Sequence, residues 1–137
     1  MGRVKARSIE PQMVGDAVGA IQGRAKGDLL GGSLIVVTGT TSGRFQVEAA
    51  SNQSIRCSSG LLYSIYRPAL SGEMCTGRII QVLPYAGDKK VKDGDALWLG
   101  RDGAWSLTKP KTRAIQVGRI IGSGDSAQVL LAPQGQY

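Results

Sequence analysis

Histidine is absent from all 137 residues. With it go the Ser-His and Cys-His nucleophilic pairs, His-ligated zinc, and the side chain whose ordinary pKa suits proton transfer near neutrality. Cysteine is scarce. Cys57 and Cys75 are too far apart for a Cys-x-x-Cys site and supply at most two thiolate ligands, which argues against structural zinc and for reduced, buried thiols, although one disulfide stays open on spacing alone. Aromatic residues are few, with a single phenylalanine, while glycine occurs 20 times, a balance that suits many short strands and turns rather than packed helices. Long apolar runs are missing too, so no stretch suits a bilayer span. The basic start Met1-Gly2-Arg3-Val4-Lys5-Ala6-Arg7 meets no apolar run of signal-peptide length before Gln22-Gly23-Arg24-Ala25-Lys26-Gly27-Asp28. Ala6 breaks the myristoylation pattern, and Asn52-Gln53-Ser54 matches a glycosylation acceptor that has no consequence without secretion. A cytoplasmic chain with no membrane partner is expected.

What is present fits one domain. An apolar fraction of 42% is too high for a wholly disordered chain, and this length lets a fold bury roughly two thirds of its unfolded surface. The formal charge is +7. Residues 1–33 carry Arg3, Lys5, Arg7, Arg24 and Lys26 with only isolated apolar side chains, and read as an extended basic N-terminal arm before a domain at 34–137. A short helix at Met13–Gln22 fits the spacing of Val14, Ala17, Val18 and Ile21, but Gly15 and Gly19 each weaken it by about 1 kcal/mol relative to Ala. A leader, or the first turns of the domain, are the other readings of this segment.

From Leu34 onward short apolar runs are broken by turn residues. Leu34-Ile35-Val36-Val37 is continuous and β-branched, as in a strand buried on both faces, whereas Phe45-Gln46-Val47-Glu48-Ala49 alternates. A short run at Ile55–Cys57 follows, then a strand at Leu61–Tyr66 stopped by Pro68, and a longer one at Met74–Leu83 stopped by Pro84, because proline lacks the N–H a ladder requires. Ala96–Leu99 and Ala104–Leu107 flank Gly100-Arg101-Asp102-Gly103, a strong hairpin signal. Ala114–Ile121 alternates Ile115, Val117 and Ile121 against Gln116 and Gly118, with Arg119 on the apolar face. Gly122-Ser123-Gly124-Asp125 turns into Gln128–Leu131. Such spacing predicts an all-β fold, a small β-barrel or jelly-roll-like sandwich.

No residue set calls for catalysis, a cofactor or a metal. Asp88, Asp93, Asp95 and Asp102 all sit near glycines, and Asp93-Gly94-Asp95 lacks the bidentate Glu of a calcium loop, so turn formation explains them. Gly122-Ser123-Gly124 lacks the third glycine of a nucleotide-binding fingerprint. Trp98 and Trp105, on the two strands of the hairpin, permit a stacking platform for single-stranded nucleic acid, which the basic charge would favour; burial in a core or interface is the better reading of both. The basic clusters Lys89-Lys90-Val91-Lys92 and Lys109-Pro110-Lys111-Thr112-Arg113 read as exposed loops.

Over about Asp93–Leu131, the run Asp93-Gly94-Asp95-Ala96-Leu97-Trp98-Leu99, the Asp102-Gly103 turn, Ile115-Gln116-Val117-Gly118 and Ser123-Gly124-Asp125 through Val129-Leu130-Leu131 resemble the capsid decoration, or cement, proteins of tailed bacteriophages. The resemblance implies a compact β module whose shape is set by Trp98, Asp102, Gly103, Trp105, Gly118, Gly124 and Asp125. It also implies a virion protein of the outer capsid surface, made in the host cytoplasm. Such a protein forms a homodimer or homotrimer over a symmetry axis, binds the major capsid protein and clamps neighbouring subunits. Capsid contacts are expected in the arm, with Arg3, Lys5 and Arg7 forming ion pairs and Val4 and Ile9 filling shallow pockets. Removing residues 1–27 is then expected to leave a folded domain that no longer decorates shells.

Overall fold

The computed structural model describes residues 19–135 and Tyr137, and within them the chain is all-β. Strands β1 (Ala20–Ala25), β2 (Leu34–Thr41), β3 (Arg44–Ala49), β4 (Leu62–Ser64) and β5 (Met74–Arg78) close into a barrel in the order β1-β3-β2-β4-β5. Strands β6 (Gln81–Pro84), β7 (Ala96–Leu99), β8 (Trp105–Ser106), β9 (Gln116–Ile121) and β10 (Gln128–Leu131) form a second sheet in the order β6-β10-β9-β7-β8.

Strand β2 joins the two because both of its faces are apolar. Leu34 and Val36 enter a core shared with Leu97, Leu99, Val117, Ile120, Val129 and Leu131 of the second sheet. Ile35 and Val37 turn into the barrel, against Val47, Tyr63 and Ile65. Fully burying each such side chain is worth about 1.5–3 kcal/mol, so the run Leu34–Val37 anchors two cores at once. A five-stranded barrel is narrow, and its interior alternates large with small. A Cβ added at Gly77 would lie 2.8 Å from Tyr63 Cβ, and one at Gly23 would lie 2.8 Å from Val47 Cγ1. Small residues on β1 and β5 therefore make room for the large ones on β2, β3 and β4.

This packing moves the boundary expected at residue 33. Residues 20–33, expected in the arm, belong to the barrel: β1 runs parallel to β3 and antiparallel to β5, and Ala25 and Leu29 are buried. Of the inward positions of β1, Ile21, Gly23 and Ala25, the last two are small enough to look like linker composition and small because the barrel is narrow. Ala20–Gln22, the end of the segment compatible with a helix, is strand. Deleting residues 1–27 would remove β1, paired with both β3 and β5, so the barrel is expected to open rather than remain as a folded domain.

Other elements are shorter or split. The expected Leu61–Tyr66 strand contracts to β4, Ala104–Leu107 contracts to β8, and Ile55–Cys57 lies in turns. The run Met74–Leu83 divides at Ile79-Ile80, because Arg78 pairs with Ser64 in the barrel whereas Gln81 pairs with Leu131 in the second sheet. In β9 the register shifts opposite Leu97 and Trp98, so Val117 and Ile120, not Ile121, face the core while Arg119 is half-buried outside it. One extra residue in a bulge reverses the face of everything beyond it, which accounts for an arginine at an apparently apolar position. Gly118 sits at that bulge, where any Cβ would overlap the Leu130 carbonyl oxygen.

Candidate attachment surface

Of the residues expected to touch a capsid, Arg3, Val4, Lys5, Arg7 and Ile9 lie outside the described residues. The hairpin residues lie within them. Asp102 and Gly103 both have positive φ, at 50° and 83°. The turn they form docks onto the barrel: Gly103 N–H donates to Ala50 O at 2.6 Å, and Gly103 O accepts from Leu34 N–H at 2.9 Å. Register places Leu99 opposite Trp105 and Trp98 opposite Ser106, so the two tryptophans point to opposite faces. Trp105 packs on the shared core, while Trp98 faces outward beneath Lys109 Nζ, 5.2 Å from its ring centroid. A joint stacking platform is thereby lost. Gly124 and Asp125 form a short 3-10 turn, where exposed Asp125 meets Lys89 at 3.1 Å. Asp88, Asp93 and Asp95 each accept a backbone N–H, from Lys90, Gly122 and Lys92, at 2.9 Å.

The thiols belong to different cores, Cys57 against the shared one and Cys75 inside the barrel, and both are free. Burial pushes the Cys75 thiol above its ordinary pKa of 9.0. Glu48 shows the opposite balance. Burial alone would raise its carboxyl, but hydrogen bonds from Arg56 and Thr38, with the Arg56 charge, hold it below its ordinary 4.5.

A cleft of about 530 Å³ opens beside β5, lined by Tyr66, Arg67, Pro68, Met74, Cys75, Thr76, Arg78 and Gln81. It arises where the barrel seam parts. Strands β4 and β5 meet only at Ser64 and Arg78, after which Pro68, with no N–H to give, carries the chain away. The far wall is fixed by a second set of bonds. Leu29 and Ala69 pair reciprocally at 2.7 and 3.0 Å, Arg24 Nη1 donates to Gly72 O at 2.7 Å, and Ser71 N–H donates to Asp28 at 2.9 Å.

The cleft is cationic and partly apolar. Among the described residues, neither Arg67 nor Arg78 has a carboxylate within ion-pair distance. Tyr66 is 64% exposed and Met74 39%, with Leu30 and Leu70 also exposed just beyond the Leu29–Ala69 pair. Gln81 is 8% exposed; its Oε1 accepts from Ser64 Oγ at 2.9 Å, yet its Nε2 has no hydrogen-bond partner among the described residues. The sequence signalled none of these cleft residues beyond Pro68 as a strand stop. An unpaired strand edge is a property of three strands together, and no local motif encodes it.

No protein-family model matches the chain, and no curated protein is significantly similar to it in sequence. A solved structure is similar in fold: the N base of the head fiber gp8.5 in bacteriophage phi29, with a TM-score of 0.53 at 16% identity, over 83% of this chain and 93% of that one. At this identity the likeness concerns the fold alone. It covers nearly the whole of the phage domain.

Proposed function

We propose that the chain is a structural protein of a tailed-phage head, a decoration protein that attaches to the outer capsid surface, binds the major capsid protein and clamps neighbouring subunits. The observation that carries this reading is the shared architecture with a head-fiber base, matched over 93% of that domain. The role is mechanical rather than catalytic. Basic charge spread over the surface would steer the protein onto an acidic shell, raising the association rate more than the affinity. As a homo-oligomer touching several subunits, it would gain avidity through effective concentration, and by binding the assembled shell alone it would stabilise that shell.

The test is co-sedimentation of the full chain with expanded, undecorated heads, followed by heating of decorated and bare heads. Saturable binding that raises the temperature of head disruption is expected. Failure to sediment with heads at low salt would overturn the reading. The same fold likeness favours a second version, in which the chain is the base of a longer head appendage. Saturation at a few copies per head, rather than at a copy number matching the shell lattice, would select it.

A further inference from the structure

We propose that the cleft beside β5 takes an extended, carboxylate-bearing segment of the capsid surface as an added strand. This rests on the attachment reading and names the surface and partner chemistry for it. In the β1–β5 ladder, Ala25 N–H donates to Glu73 O at 2.8 Å and Ile79 N–H donates to Gly19 O at 2.8 Å. Main-chain groups alternate sides along a strand, so those of Cys75 and Gly77 also turn to β1, while those of Met74, Thr76 and Arg78 turn the other way. Arg78 meets Ser64 of β4. Among the described residues Met74 and Thr76 have no strand beside them on that side, and both line the cleft.

Such an edge recognises any extended backbone, which supplies affinity without demanding side chains; the flanking groups then choose among segments. Here they ask for negative charge. Arg67 and Arg78 line the cleft with no carboxylate partner among the described residues, and the planar guanidinium fits a carboxylate with two parallel hydrogen bonds. Gln81 Nε2 adds a buried donor with no acceptor among the described residues, and a buried polar group normally finds a partner in protein or ordered water. Tyr66 and Met74 offer apolar contact for the side chains that alternate with the acidic ones. The volume suits a few residues of such a segment. The basic start of the chain is a poor fit, because Arg3, Lys5 and Arg7 would face two arginines; the stretch bearing Glu10 and Asp16 is the competing occupant, which removing residues 1–18 tests.

The experiment uses the isotopically labelled full chain and two capped hexapeptides, one alternating Val with Glu and one alternating Val with Lys. With millimolar Val-Glu peptide, the expected result is shifts of the Met74 and Thr76 amides and the Gln81 side-chain amide, with exchange of the Thr76 N–H slowed about tenfold, as for an amide held in a ladder. The Val-Lys peptide should leave these signals in place. Arg67→Glu combined with Arg78→Glu, both exposed positions that leave the cores intact, should weaken Val-Glu binding about 10- to 100-fold, the loss expected for two charge-assisted contacts. Equal binding of both peptides, shifts confined to other regions, or undiminished binding by the double variant would overturn the proposal. So would a tenfold gain in peptide affinity on removing residues 1–18, since the chain's own segment would then be the occupant. On undecorated heads the two ideas separate. A wild-type chain that fails to bind heads sinks the attachment reading, whereas double-variant binding equal to wild type sinks the cleft proposal alone.

Discussion

Gly103→Ala should separate the two ways in which one residue couples the barrel to the second sheet. Its φ of 83° would be left-handed for alanine, which costs roughly 1–2 kcal/mol. The new Cβ would also lie 2.9 Å from Leu34 O and 3.0 Å from Ser33 Cβ, neither of which is the free end of a flexible side chain. Relief requires the turn to lift, stretching the bonds from Gly103 N–H to Ala50 O and from Leu34 N–H to Gly103 O. At about 1 kcal/mol for each bond, the total approaches ~3–4 kcal/mol, a large part of the 5–15 kcal/mol of a typical domain. Gly94→Ala is the control, with φ at 94° and nothing within 4 Å of the added carbon, so it should show only the conformational part, about 1–2 kcal/mol. Equilibrium urea unfolding followed by tryptophan fluorescence measures both, since Trp105 packs on the shared core. At a typical slope near 2 kcal/mol/M, Gly103→Ala should unfold at a midpoint about 2 M below wild type and Gly94→Ala at less than 1 M below. If the two variants fall within about 0.5 kcal/mol of each other, the docked turn is not what joins the sheets.

Four further outcomes can be checked with the purified protein. Deleting residues 1–18 should leave a cooperative unfolding transition by circular dichroism, whereas deleting 1–27 removes β1 and should abolish it. Burial raises the Cys75 thiol above 9.0, so the unfolded chain loses that proton first; its contribution to stability is complete below about pH 9 and falls as pH rises through the folded value. Replacing Cys75 by Ala should therefore flatten the alkaline fall of the urea midpoint, and half-buried Cys57 should react first with a thiol reagent. Lys109→Ala should cost about 0.5–1 kcal/mol through its contact with Trp98, and raise quenching of tryptophan fluorescence by acrylamide, with no change at Trp105.

How far the fold was legible follows from where its information sits. The run Leu34–Val37 announces two buried faces because consecutive β-branched residues leave no wet side, and those faces serve two cores. Asp102-Gly103 announces its turn through two residues that tolerate positive φ. Strand β1 stayed hidden for the opposite reason: its inward Gly23 and Ala25 carry almost no apolar signal, although a narrow barrel can accept little else opposite Val47 and Tyr63. The Arg119 anomaly was visible as a break in alternation, but only pairing with β7 and β10 reveals the bulge that causes it. The cleft lies further from the sequence still. Tyr66, Arg67, Met74, Arg78 and Gln81 come together because β4 is three residues long and β5 five, so one strand ends while its neighbour continues. A barrel that closed fully would satisfy its own edge and keep nothing for a partner. The same short β4 that leaves Met74 and Thr76 unpaired among the described residues is thus what would expose main-chain groups to the added strand proposed above, and a β4 lengthened by pairing Tyr66 with Thr76 would close the seam at the expense of that surface.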